Sequence, residues 1–140
     1  MVLKAADVKV GDTHEKVVVE DLTVTQIQMY AGASGDYNAV HTDHRYATEV
    51  AGYKSIFAHG MLTMGATGGA VTDLFGADQL GSFGGQFRSQ VWPGATLTTK
   101  VTIDAVNDAD GEKVAECSVV TTDDAGAVVF QGSASARLQD

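Results

Sequence analysis

Three of the chain's four histidines lie between Tyr30 and Gly65, and one of them, His41, closes the run Gly35-Asp36-Tyr37-Asn38-Ala39-Val40-His41. Asp36 and His41 are a carboxylate and an imidazole, side chains suited to exchanging protons with a bound substrate or water. On one continuous helix, residues five apart would point about 140° away from each other, at about 100° per residue. They converge only if the chain bends between them. Gly35, which readily takes a left-handed conformation, and the turn-forming Asn38 supply such a bend. Farther on, Ala58-His59-Gly60-Met61 marks the entry to a helix starting at Gly60. Its first turn presents unpaired backbone N–H groups at the positive end of the helix dipole, beside a residue with no side chain in the way. An acid–base pair and a free N–H donor suit a reaction that moves protons and builds negative charge on an oxygen. Taken singly, Asp36 also reads as an ordinary turn carboxylate and His41 as a core or surface histidine.

The elements that must position these groups follow from hydrophobic period and turn residues. Lys16 to Glu20 is a β-branched run suited to a strand. A helix follows, capped by Thr23 or Thr25, with Val24, Ile27, Tyr30 and Ala31 on one face and its end at Ser34-Gly35, which delivers Asp36 to the loop. Between His41 and Phe57 the mixed composition predicts irregular structure with one short helix. Gly60 to Phe75 is apolar or small nearly all round, the pattern of a buried helix. Gly65, Gly68 and Gly69 each cost that helix about 1 kcal/mol relative to alanine, which implies that something approaches it closely.

Beyond Gly76 the period changes to two. Phe83, Gly85, Phe87, Ser89 and Val91 alternate on one face, and Pro93-Gly94 makes the next turn. Leu97, Thr99, Val101, Ile103 and Ala105 alternate against polar neighbours. Turns at Asp108 to Gly111 and Asp123 to Gly126 bracket a strand at about Lys113 to Thr122 and leave a last one from about Ala127 to Leu138. One long helix beside four or five such strands predicts an α+β domain. No repeat or linker divides the chain, so residues 1–140 are expected to form one domain.

Composition narrows the function. The chain has 140 residues, 44% of them apolar, and a formal net charge of −9 with only nine scattered Lys and Arg. Nucleic-acid binding is not expected from such a balance. The lone cysteine, Cys117, cannot form an internal disulfide and fits a reducing compartment. No apolar run long enough for a membrane span and no export signal is present, and a cytoplasmic location is expected.

The motif Gly35-Asp36-x-Asn38-x-x-His41, with Ala58-His59-Gly60-Met61 after it, resembles the signature of the MaoC-like, (R)-specific enoyl-thioester hydratases and 3-hydroxyacyl-ACP dehydratases. The resemblance spans nearly the whole chain, and the family motif usually has proline where Ala39 stands. It implies a hot-dog fold, an antiparallel sheet wrapped around the long helix, and a reaction that adds water to a trans-2-enoyl thioester or removes it from a (3R)-hydroxyacyl thioester. Asp36 and His41 would then be catalytic, the Gly60 N–H an oxyanion donor and Asn38 a support for the loop. Tyr30, Met61, Gly65 and Arg88 are the candidate substrate contacts, although Tyr30 reads first as a core aromatic and Arg88 as a surface charge. The helix glycines would make room for the sheet or for an acyl chain. No cofactor or metal is implied. The expected partners are an acyl-CoA or acyl-carrier-protein substrate and a second hot-dog subunit, as a homodimer or a heterodimer.

The residues also admit other readings. His41, Asp43, His44 and His59 are of the types that bind zinc or iron, but no spacing such as HExxH supports a metal site. A heterodimer could place the acid–base pair on one chain and the acyl tunnel on the other. A thioesterase could be built on the same fold, because fold does not fix function.

Overall fold

The computed structural model describes residues 2–140. Its strands are β1 (Thr13–Val19), β2 (Leu80–Phe87), β3 (Leu97–Ala109), β4 (Glu112–Thr122) and β5 (Val128–Arg137). They form one antiparallel sheet in the order β1-β3-β4-β5-β2. The helices are α1 (Val24–Ser34), the single turn α2 (Ala39–Thr42) and α3 (Gly60–Phe75), with a π-helical turn at Tyr46–Val50. The sheet packs on α3 in the hot-dog arrangement.

Local chemistry explains most of these boundaries. Thr23 caps α1 in a reciprocal box: its hydroxyl accepts the Gln26 N–H at 3.0 Å, and the Gln26 side chain accepts the Thr23 N–H at 2.9 Å. Gly35 ends the helix in the left-handed region, with φ of 75°, and its N–H closes on the Ala31 carbonyl. Asp110 and Gly111, both at positive φ, form the two-residue turn between β3 and β4, the geometry that matches strand twist. The turn between β4 and β5 is held by Asp123, whose carboxylate accepts the N–H groups of Ala125 and Ala127. Leu97, Thr99, Val101 and Ile103 are buried as their alternation predicts.

Some expectations need correction. Val24 does not share the buried face of α1 with Ile27 and Ala31; it is 48% exposed, because it sits in the first turn, ahead of the packed part of the helix. The first strand begins at Thr13, earlier than its β-branched run. Strand β2 stops at Phe87, so Ser89 and Val91 lie beyond it. There the Val91 carbonyl instead takes the Ala58 N–H at 2.8 Å, tying this segment to the entrance of α3.

The core has two parts. One gathers Val71 and Phe75 of α3 against Val101, Ile103, Cys117 and Val119. The other, around the loop that carries the motif, includes Ile27, Ala47, Ile56, Leu97 and Val129. A buried hydroxyl chain also links α3 to the sheet: Thr121 pairs with Thr67 and with Thr99, each at 2.7 Å. Among the described residues no helix is long and apolar enough to cross a membrane.

Candidate active site

The bend between Asp36 and His41 is built from short bonds. After Gly35, the Asp36 N–H donates to Ser34 Oγ at 3.2 Å and the Asp36 carboxylate accepts the Asn38 N–H at 3.2 Å. Asn38 then caps α2, its side-chain oxygen accepting the Val40 N–H at 3.1 Å and its carbonyl accepting the His41 N–H at 2.9 Å. The Gln28 side chain of α1 donates to the His41 carbonyl at 3.0 Å. The helix that would have held Asp36 and His41 apart is thereby broken into two, and the carboxylate comes back toward the imidazole. Ligand-type atoms of Asp36, His41 and His59 all lie within 4.8 Å of one another.

His41 is buried, and its Nδ1 lies 2.7 Å from the Phe57 carbonyl oxygen. A carbonyl can only accept, so Nδ1 carries the proton, and in the neutral ring Nε2 keeps the lone pair. Burial pushes the His41 pKa below 6.5, against the raising effect of the Phe57 hydrogen bond; the neighbouring His59 lowers it further and Asp36 raises it. The balance favours a neutral base with Nε2 as the atom that exchanges a proton. Phe57 also packs edge-on against the His41 ring at 5.0 Å, and Trp92 and Tyr53 pack behind Phe57.

The rings of His41 and His59 are stacked, with centroids 4.0 Å apart and planes 27° from parallel. One nitrogen of each ring is already committed to a backbone carbonyl, His41 Nδ1 to Phe57 and His59 Nε2 to Asp36. The geometry suits proton exchange with water better than a shared metal. Asp43 and His44, the other residues of a conceivable metal set, are exposed on the far side of α2 in sequence and do not join the cluster.

Beside His41 opens a cavity of about 390 Å³, lined by Phe57, Gly60, Thr63, Phe87, Arg88 and Val129 among others. Its size is that of a small-molecule site. Gly60 is the first residue of α3, and the preceding His59 carbonyl accepts the N–H groups of Leu62 and Thr63 at 3.1 and 3.4 Å. That leaves the Gly60 and Met61 N–H groups as the uncommitted donors of the first turn. The Thr63 hydroxyl is buried without a protein partner.

The residues singled out from sequence therefore divide. His41, Gly60 and Arg88 share the cavity wall; Asp36 is not part of that wall and is joined to it through its closeness to His41. Tyr30 packs on His59 at 4.8 Å, while Met61 is 55% exposed and Gly65 faces open space; none of these three lines the cavity. Thr63, Val91 and Val129 line it without having been marked by any motif. Thr63 alone carried a usable signal, since it follows Gly60 by three residues in α3 and so lies on the same face.

Known proteins place this arrangement in context. The chain is 39% identical over 71 residues to 3-hydroxyacyl-thioester dehydratase Y of Mycobacterium tuberculosis, covering 49% of this chain and 24% of that protein. It is 28% identical over 112 residues to the peroxisomal enoyl-CoA hydratase 2 of Arabidopsis thaliana, covering 78% of this chain and 36% of that one. The chain thus spans well under half the length of these relatives. The unliganded R-hydratase PhaJ1 of Pseudomonas aeruginosa has the same fold, with a TM-score of 0.85 at 22% identity over 99% of this chain and 87% of that one. An (R)-hydratase of A. caviae follows with a TM-score of 0.82 at 20% identity, over 96% and 99% of the two chains. The sequence profile of the MaoC like domain matches residues 6–125, nearly the full span from the first turn to the β4–β5 loop, and the chain belongs to that dehydratase family.

Proposed function

We propose that the chain hydrates trans-2-enoyl thioesters to (3R)-hydroxyacyl thioesters, or runs the reverse dehydration, in cytoplasmic fatty-acid metabolism, as one catalytic domain without metal or cofactor. The observation that carries this reading is the convergence of Asp36 and His41 beside a cavity that Gly60 also lines. A water held between the Asp36 carboxylate and His41 Nε2 loses a proton to the pair as its oxygen bonds to C3. The pair returns a proton to C2, so the alkene gains one water overall. Charge that develops on the thioester oxygen is met by the Gly60 N–H at the positive end of α3. Asn38 acts by holding the loop, through the bonds already described, and Arg88 at the cavity wall is the candidate contact for the polar arm of the thioester.

Because both proton-exchanging groups act through one water on one face of the alkene, addition is syn. The (3R) configuration rests on the family likeness. Incubating trans-2-butenoyl-CoA with the chain in deuterated water and analysing both carbons tests the reading: the expected product is (3R), formed by syn addition. A (3S) product or anti addition would overturn it. Release of a free thiol without hydration would instead favour a thioesterase.

A further inference from the structure

His59 stands outside the proposed acid–base pair, yet it touches both members. Its Nε2 lies 2.9 Å from the Asp36 carbonyl oxygen, and since that oxygen only accepts, Nε2 carries a proton and donates it. Its ring stacks on His41. Tyr30 packs against it as well, and only 2% of the residue is exposed, so the ring has one orientation available.

The reach of that hydrogen bond matters. The other bonds that restrain Asp36 come from Ser34 and Asn38, two residues away on either side, and they fix the shape of the loop without fixing where the loop sits. The His59 bond crosses 23 residues and ties Asp36 to the first turn of α3. His59 precedes Gly60 directly, so one residue links the backbone of Asp36, the imidazole plane of His41 and the proposed oxyanion donor. His59 is absent from the cavity wall, and its Nδ1 is buried without a partner, which separates it from the substrate.

We propose that His59 is a positioning residue: its Nε2–H bond to the Asp36 carbonyl and its stacked ring set the distance and angle between Asp36 and His41. The proposal rests on that pair being the catalytic one. Displacing a reacting group by about 1 Å can cost about 10²-fold in rate, so a tie of this kind is expected to appear in turnover rather than in substrate affinity.

Two variants separate donor from bulk. His59→Leu keeps volume and removes the donor; His59→Gln keeps an N–H donor without the ring. With trans-2-butenoyl-CoA, His59→Leu is expected to lower kcat about 10- to 100-fold with KM within about twofold, and His59→Gln to recover a substantial part of that loss. In the Asp36→Asn background His59→Leu should cost little further, because its effect runs through Asp36. Equal loss in Leu and Gln, or full additivity with Asp36→Asn, would overturn the proposal. A readout independent of activity is the ¹⁵N shift of the Tyr37 amide, whose peptide group contains the Asp36 carbonyl. It should move in His59→Leu and return toward the native value in His59→Gln. If the wild-type chain shows no hydratase activity but this shift behaves as expected, the functional reading fails and the positioning contact stands; an unmoved shift in His59→Leu removes the contact itself.

Discussion

Asp36 and His41 differ in how they are held, and the difference sets what each substitution should do. Asp36 is exposed, on a loop braced by its own neighbours, while His41 is buried and pinned by the Phe57 carbonyl. Asp36→Asn keeps shape and hydrogen bonding and should lower turnover by roughly 10²–10⁴-fold with folding intact; His41→Ala should do the same in rate. Near-native turnover in a folded variant would remove that residue from the mechanism. His41 also carries a stability signature. Its folded pKa lies below 6.5, so between those two values the unfolded chain binds the proton that the folded chain refuses. The His41 contribution is therefore intact above pH 6.5 and declines as pH falls through that window. Urea denaturation at stepped pH should show a shallower decline in His41→Ala than in the native chain; equal slopes would contradict it. These two residues were legible in the sequence because their types and the bend at Gly35 and Asn38 are local. The His59 contact was not, because it joins residues far apart in the chain and depends on where α3 begins relative to the loop.

The start of α3 is a crowded place, which changes how the Gly60 N–H can be tested. A Cβ at Gly60 would lie 2.9 Å from the Phe87 ring, so any side chain there pushes that ring aside. Gly60→Ala makes the same demand on Phe87 but keeps the N–H, whereas Gly60→Pro removes it at a first helical position that tolerates proline. Turnover should fall about 10²–10³-fold further in Pro than in Ala; equal activities would move the oxyanion donor elsewhere. In α2 the same positional rule reverses the sign. Ala39 is the first residue of that helical turn, where a proline's fixed φ fits and no hydrogen bond is lost. Ala39→Pro should stabilise the chain by about 0.4–1 kcal/mol, measured as an increased urea midpoint at unchanged slope. A lowered midpoint would show that the backbone there is not proline-compatible. Caps and turns were readable because they are written in adjacent residues: Thr23, Gly35, Asn38 and the Asp110-Gly111 turn all sit where side-chain chemistry puts them. The glycines of α3 were only half readable. Phe83 approaches Gly68 and Phe87 approaches Gly60, while Gly65 and Gly69 meet nothing within 4 Å. The sequence announced a close approach but not which strand residues make it, since that depends on where β2 lies against the helix.

At the scale of the whole molecule the two edges of the sheet are unlike, and the difference bears on assembly. Edge strand β1 carries His14, Glu15 and Lys16, and Lys16 pairs with Asp73 of α3, so this edge has the charges that discourage pairing with another chain. The other edge, β2, reads Leu-Gly-Ser-Phe-Gly-Gly-Gln-Phe and has no charged residue along its length. At its end Phe87 is 49% exposed and Met61 on α3 is 55% exposed, so apolar surface continues from the strand onto the helix entrance. Gly85 and Gly132 face each other across β2 and β5, and a Cβ on either would strike the opposing backbone; β2 is thus held close to the sheet on one side and left open on the other. An uncharged, open edge of this kind is ordinarily paired or covered. A dimer through β2 is expected, homodimeric unless a related chain takes the second place, and it would bring the partner beside Phe87 and Arg88 at the cavity. Sedimentation at micromolar concentration should give a dimer, and Gln86→Lys, which places a charge on the edge without entering the core, should shift it toward monomer and lower turnover together. A native chain that sediments as a folded, active monomer would show that the catalytic groups need no second copy and would overturn the dimer through β2.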